Sequence, residues 1–142
     1  MGAAGTFALI LAALFAGAAL YINLAEHPAR MKLDAAHAVA QWSPSYDRGY
    51  AMQATLAVLA GLAGLAAWWE LRGTLWLVGA LLMLTNWPWT LIAIMPVNKK
   101  LKAGAGDDSV PLLNRWARLH AVRTFLSFAA VACFAIAAQF LR

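Results

Sequence analysis

Four long apolar stretches dominate this sequence of 142 residues. Each comes close to the roughly 20 residues that a helix needs to cross the hydrocarbon core of a bilayer. Only 12% of the residues are charged, whereas an average soluble domain has about 25% charged residues. A soluble domain of this length could not cover its core with so few charges, so the sequence predicts an integral membrane protein. The stretches predict helices at about residues 6–24, 44–69, 75–96 and 110–141.

The loops between the predicted helices differ in charge. An even number of spans places the first and third loops on one side of the membrane, and both termini on the other. Eight lysine and arginine residues lie with the first and third loops, against two (Arg72 and Arg142) on the opposite side. Because positive residues are retained in the cytoplasm, we expect both termini on the non-cytoplasmic side of the inner (plasma) membrane. The predicted fold is a single all-α domain, an antiparallel bundle of four membrane helices. This asymmetry explains the net charge of +5 without a nucleic-acid partner.

Two proline positions refine the helix bounds. Ser43-Pro44 combines an N-cap residue with a proline at the first helical position, which predicts that helix two begins there. The preceding segment, residues 34–42, then predicts a separate interfacial helix. Pro28 lacks a backbone N–H, so helix one is expected either to end near it or to leave the Leu24 carbonyl free.

Polar side chains gather toward the cytoplasmic ends of the predicted helices. Polar groups at membrane depth are costly and often functional, so their positions indicate a site. In helix one they follow the spacing i, i+3, i+4, i+7, which places them on one face; these residues are Asn23, Glu26, His27 and Arg30. Polar residues also open helices two and four and interrupt helix three; they are Tyr46, Tyr50, Gln53, Trp116, His120, Arg123, Thr124, Asn86 and Thr90. Their common depth predicts a polar pocket in the cytoplasmic half of the bundle.

The predicted pocket suits acid–base chemistry on a lipophilic molecule. A histidine acts as a general base near neutral pH, and a neighbouring carboxylate orients it. Arginine and asparagine side chains hold a developing oxyanion through charge-assisted hydrogen bonds. The catalytic candidates are His27, His120, Glu26 and Arg123. The candidates for binding the substrate are Asn23, Tyr46, Tyr50, Asn86, Trp87, Asn98 and Trp116.

Other interpretations stay open at this point. Glu26 could form a purely structural ion pair with Arg123 or Arg30. A metal site made from His27, His120 and Glu26, or a haem between the two histidines, is a weaker alternative, since residues 26 and 27 diverge by about 100° on a helix. We therefore expect no metal or haem cofactor. The main alternative to an enzyme is a non-catalytic module that binds a lipid, a quinone or a partner protein; the sequence leaves the oligomeric state unknown.

Five short motifs resemble those of one family of membrane proteins. They are EHPAR (Glu26–Arg30), Tyr46-x-x-Gly49, NWPWT (Asn86–Thr90), MPVN (Met95–Asn98) and WARLHAVRT (Trp116–Thr124). Together they resemble the DUF1772, or anthrone oxygenase-like, family in the same order and over nearly the whole chain. The resemblance implies oxidation of a lipophilic aromatic or quinol-like molecule by oxygen without a required cofactor. It also implies a shared site drawn from Asn23, Glu26, His27, Asn86, Asn98, Trp116, His120 and Arg123.

Overall fold

The computed structural model describes residues 2–140, and within them the chain forms four long helices and no strand. Helix α1 spans Ala3–Arg30, α2 spans Ala35–Leu71 and α3 spans Thr74–Lys102. Helix α4 spans Ser109–Phe140 and follows a single 3₁₀ turn. All four are long and apolar enough to cross a membrane, which confirms the all-α prediction. Leu141, the predicted end of helix four, and Arg142 lie outside the described residues.

The first three helices are longer than their predicted spans. Helix α2 begins at Ala35 rather than at Pro44, and the predicted interfacial helix at residues 34–42 forms its first turns. Asp34 caps this helix, because its carboxylate accepts the backbone N–H of His37 at 3.1 Å. That hydrogen bond lowers the pKa of Asp34. Pro44 lies inside this helix. Its missing N–H removes one backbone hydrogen bond, but the helix continues past it.

Helices α1 and α3 each contain a widened, π-helical turn. The two turns are Ile22–Glu26 and Thr90–Ile94. A proline follows each turn by two residues, at Pro28 and Pro96. Proline lacks an N–H and crowds the carbonyl four residues earlier, and in both helices that carbonyl lies inside the widened turn. The helix therefore continues past Pro28 instead of ending there.

The four helices pack in a ring. Helices that follow each other in the chain are in contact, and α4 also contacts α1, which closes the ring. At one end the interior is an alanine-rich core that includes Ala8, Ala12, Phe15, Ala60 and Phe134. Glycines let the helices approach there: a Cβ atom on Gly79 would lie 2.5 Å from Cε1 of Phe134.

A second interior cluster lies toward the other end of the bundle. This tryptophan core is formed by Ala38, Trp42, Ile94, Val97, Leu101, Leu113 and Trp116. Outside both cores, large apolar side chains are exposed, among them Leu24, Ile92 and Phe125. Such a surface is suited to lipid rather than to water. Most of the buried polar residues lie between the two cores, and they form the candidate site.

Candidate functional site

A central cavity and a smaller second cavity lie side by side in the polar layer. Six predicted site residues line the central cavity: Glu26, Tyr46, Tyr50, Trp116, His120 and Arg123. The second cavity is lined by Ala54, Ala57, Asn86, Trp87 and Thr90. Tyr50 and Arg123 line both cavities, so their side chains form the boundary between them.

Both cavities are small. The volume that the centre of a water molecule can occupy is about 20 Å³ in the central cavity and about 10 Å³ in the second cavity. One water needs roughly 10–15 Å³ by this measure, so the two cavities have room for one or two waters. A ligand of several rings would require the lining side chains to move.

His120 lines the central cavity with its ring in a defined orientation. Its Nδ1 lies 2.9 Å from Oδ1 of Asn23. The same oxygen accepts the hydroxyl of Thr124 at 2.8 Å, and Nδ2 of Asn23 donates to the carbonyl of Ala117 at 3.0 Å. Because an amide oxygen only accepts hydrogen bonds, Nδ1 of His120 carries the proton. In the neutral ring, Nε2 is therefore the basic atom.

Arg123 is a buried cation without a carboxylate partner. Its residue is 3% exposed, and the ion pairs found within residues 2–140 do not include it. Its Nε has no hydrogen-bond partner there, and its guanidinium lies 5.3 Å from the ring centroid of Phe15. An uncompensated charge in an apolar interior is costly, and no carboxylate of residues 2–140 offsets that cost for Arg123.

Several residues that line the central cavity carry hydrogen-bond donors without a partner. Five buried atoms on its lining residues lack a partner in the part of the chain that the structure describes: Arg30 Nη1, Tyr46 Oη, Gln53 Nε2, Trp116 Nε1 and Arg123 Nε. Four of these can only donate, and the tyrosine hydroxyl can do either. A ligand with several acceptor oxygens would satisfy them.

The carboxylate of Glu26 forms structural contacts. Its Oε1 accepts Nη2 of Arg30 at 2.6 Å, and it also accepts the hydroxyl of Ser45. Gln41 contacts both members of the pair, donating to Glu26 at 3.4 Å and accepting Nε of Arg30. Of the two pairings considered for Glu26, the structure shows the one with Arg30. Glu26 is thus engaged with a cation that is itself buried.

The polar stripe predicted for helix one is divided between two sides of the helix. Glu26 and Arg30 line the central cavity, whereas Asn23 and His27 line an open groove with residues of α4. Successive side chains on a helix point about 100° apart. Glu26 and His27, which are adjacent in the sequence, therefore face different parts of the bundle. The ring centroid of His27 lies 6.1 Å from that of Trp116. No group of three or more His, Cys, Asp or Glu side chains within residues 2–140 could hold a metal ion, so His27, His120 and Glu26 are not brought together as ligands.

The remaining predicted site residues are placed separately. Nδ2 of Asn86 donates to the carbonyls of Leu82 and Met83 at 3.2 and 3.1 Å, which leaves Oδ1 without a partner on the described residues. Trp87 lies beside Asn86 on the second cavity. Asn98 is 1% exposed but lines neither cavity. Asn23 contacts His120 and does not line the central cavity.

Three residues that line the central cavity were not predicted: Ile22, Ser45 and Gly49. Arg30 and Gln53, which also line it, belong to the predicted polar stripes but had been given no role in the site. Ser45, Gly49 and Gln53 are spaced by four residues, which is a helical face adjacent to the Tyr46 and Tyr50 stripe. This spacing is the signal that could have found Ser45 and Gly49.

This geometry defines a class of protein: a multi-pass membrane bundle of four helices with a small cavity, bordered by unpaired hydrogen-bond donors, between two apolar cores. The sequence model of the family described as anthrone oxygenase matches residues 42–133. The chain therefore belongs to the anthrone oxygenase (DUF1772) family, as its motifs predicted. No curated protein and no solved structure matches it. The matched segment runs from α2 into α4 and includes Tyr46, Tyr50, His120 and Arg123.

Proposed function

We propose that this protein is a membrane-embedded oxidoreductase that oxidises a lipophilic aromatic or quinol-like compound with molecular oxygen and without a cofactor. The observation that carries the proposal is the unpaired, buried guanidinium of Arg123, which lines the same cavity as the oriented ring of His120. Together they offer a base and an anion-binding group beside one small cavity. Membership of the anthrone oxygenase family supports this choice of reaction.

The proposed reaction begins with proton transfer. Nε2 of His120 removes a proton from a weakly acidic C–H of the substrate, and the electron pair delocalises onto the substrate's carbonyl oxygen. Arg123 and the neighbouring donors stabilise that oxyanion by interactions already in place before the reaction. Trp116 stacks on His120, with ring centroids 5.1 Å apart, and so provides an apolar surface beside the base.

The oxidation then uses the electrons of the enolate. For an anthrone, the enolate carbon passes its electrons to dioxygen and forms a C–O bond, and the adduct loses water. The CH₂ group becomes C=O, so one oxygen atom ends in the quinone and the other in water. For a hydroquinone, both hydrogens pass to dioxygen, and the products are a quinone and hydrogen peroxide.

The proposal includes a place in the cell. We place the protein in the plasma membrane as an antiparallel bundle, with the first and third loops in the cytoplasm and both termini outside. The eight-to-two distribution of lysine and arginine supports this orientation. In this orientation the candidate site lies in the cytoplasmic half of the bilayer. Labelling of a cysteine introduced at Gly104 by a charged thiol reagent, from each side of sealed vesicles, tests the orientation.

Turnover measurements test the proposed reaction. We expect the purified protein in lipid nanodiscs to consume oxygen with an anthrone or a hydroquinone, and His120→Ala to lose this activity while it keeps its helical spectrum and thermal transition. His37→Ala is the matched control, because His37 is exposed and lies outside both cavities. Equal rates for His120→Ala and the parent would remove His120 from the mechanism.

The small cavities favour a second candidate function, a binding module without turnover. Space for one or two waters suits a closed resting state, but it equally suits a structural core. Saturable binding of a quinone without oxygen consumption across a panel of substrates would favour this module. A haem or metal spectrum in the purified protein would instead favour a redox subunit.

A further inference from the structure

We propose that lipophilic molecules enter the site from the bilayer between α2 and α3, through a portal closed by the side chain of Trp87. The identity of the entering molecule as a substrate rests on the proposed function, whereas the portal itself rests on geometry. Three neighbouring spaces, a shared tryptophan and an irregular helix carry the inference.

The three spaces form a series from the protein surface to His120. The outermost is an open groove of about 280 Å³ between α2 and α3. Ala54 and Trp87 line both this groove and the second cavity. Tyr50 and Arg123 in turn line both the second cavity and the central cavity. Shared side chains, rather than whole helices, therefore separate the bilayer from the site.

Trp87 lies at the first of these boundaries and is weakly held. Its residue is 42% exposed, whereas Trp76 on the same helix is fully buried. Its indole Nε1 lies 3.4 Å from the carbonyl oxygen of Ala54, which is long for a hydrogen bond. A change of rotamer would break this hydrogen bond and join the groove to the second cavity.

The helix that carries Trp87 is irregular at this level. Pro88 follows directly and cannot donate a backbone hydrogen bond. The widened turn at Thr90–Ile94 begins two residues later, and such turns are frequent at functional sites. The backbone beside the portal is thus less tightly bonded than the regular helix.

The groove suits a nonpolar molecule dissolved in lipid. Val58 and Leu59 form its apolar wall, and the hydroxyl of Thr55 donates to the carbonyl of Ala51 on its own helix at 2.9 Å. A lipophilic molecule can lie there without uncovering an unpaired polar group. The groove lined by His27 and Arg118 is polar by comparison, and it shares no lining residue with either cavity.

A buried thiol behind Trp87 tests the portal without any need for turnover. In a Cys133→Ser background, Ala57→Cys adds a thiol on the second cavity, at a fully buried position. The protein, in liposomes, is treated with the bilayer-soluble reagent N-phenylmaleimide. We expect Trp87→Ala to speed the labelling about tenfold or more, because it removes the side chain that closes the portal and its hydrogen bond. Trp87→Phe, which keeps a ring, should give an intermediate rate.

Matched controls separate a portal from a general loosening of the bundle. Trp69→Ala, which removes an exposed tryptophan of α2 away from the groove, should leave the labelling rate unchanged. A thiol at Ala60→Cys, fully buried but on neither cavity, should stay unreactive with and without Trp87.

Two results would overturn the portal. One is an equal labelling rate with Trp87 and with Trp87→Ala. The other is equally fast labelling by a membrane-impermeant, charged methanethiosulfonate, which would show entry from water. The portal and the proposed reaction fail separately. Labelling that speeds up in Trp87→Ala, without oxygen consumption by the parent protein, would support the portal and contradict the reaction. Oxygen consumption together with labelling that does not depend on Trp87 would support the reaction and contradict the portal.

Discussion

The amide of Asn23 holds the ring of His120, and this contact joins α1 to α4 at the level of the central cavity. Oδ1 of Asn23 lies 2.9 Å from Nδ1 of His120, and the amide is itself fixed by Thr124 and by the carbonyl of Ala117. The contact sets the tautomer of the imidazole and turns its basic nitrogen away from Asn23. Asn23 is thus a positioning residue for the proposed base.

Asn23→Ala should lower turnover without removing the base. The ring of His120 would lose its acceptor, so both tautomers would be populated. We expect a fall in kcat of about tenfold to 100-fold, which is less than the roughly 100-fold to 10,000-fold lost with a general base itself. Asn23→Asp keeps the acceptor oxygen and should retain the Nδ1–H tautomer. The ¹⁵N shifts of the imidazole report the tautomer directly. Gln139→Ala is the control, since Gln139 is exposed on α4 and lines neither cavity; a tautomer unchanged in Asn23→Ala would contradict the assigned role.

Arg123→Met should abolish activity and leave the fold at least as stable. Loss of an oxyanion-binding group typically costs about 100-fold or more in kcat. Replacing a buried charge by an apolar side chain of similar length is often neutral or stabilising, so the thermal transition should not fall. Arg115→Met, on an exposed position of the same helix, should leave kcat unchanged. A large loss of stability in Arg123→Met would show that the guanidinium is structurally paired, contrary to our interpretation.

Glu26→Ala should destabilise the bundle. Its side chain is the carboxylate partner of Arg30, which is 2% exposed, and removing one member of a buried pair typically costs about 3–5 kcal/mol. The double variant Glu26→Ala/Arg30→Met should recover most of the free energy of unfolding, because no cation is then left unpaired. Asp47→Ala removes the half-exposed pair with Lys102 and should cost less than about 1 kcal/mol. Equal effects of Glu26→Ala and Asp47→Ala would argue against burial of the first pair.

Gly79→Ala should destabilise the alanine-rich core. The added Cβ would lie 2.5 Å from the ring of Phe134, and overpacking of this kind costs about 1–3 kcal/mol. Gly17→Ala, where nothing lies within 4 Å of the added atom, should be neutral or stabilising by up to about 1 kcal/mol. Denaturation in a mild detergent would compare the two. A stabilised Gly79→Ala variant would show that Phe134 moves aside freely.

The number and kind of helices follow from the sequence, but the start of α2 does not. Runs of about 20 apolar residues identify the spans because lipid imposes that length. The start of α2 depends on a cap outside the apolar run, and both Asp34 and Ser43 are good cap residues. The Asp34 cap is the one formed, because a single proline at position 44 does not outweigh the rest of a long packed helix.

The candidate site could be predicted only in part. Helical spacing brings Tyr46 with Tyr50 and His120 with Arg123, because each pair lies on one helix. The contact between Asn23 and His120 joins residues 97 positions apart, and the spacing within one helix says nothing about such a partner. The pairing of Glu26 with Arg30 is compatible with their spacing of four residues on one helix, whereas the distance of Glu26 from Arg123 depends on how α1 and α4 rotate against each other. The unpaired state of Arg123 is a result of that rotation.

The widened turns of α1 and α3 have a consequence for how the molecule deforms. Each turn borders the polar layer, since Glu26 ends one and lines the central cavity while Thr90 begins the other and lines the second. A helix bends where its bonding is least regular. Thermal bending should thus concentrate in one plane of the bundle, and the two halves should tilt against each other as stiff bodies. The cavities lie in that plane, so their volume is the quantity that such tilting would change most.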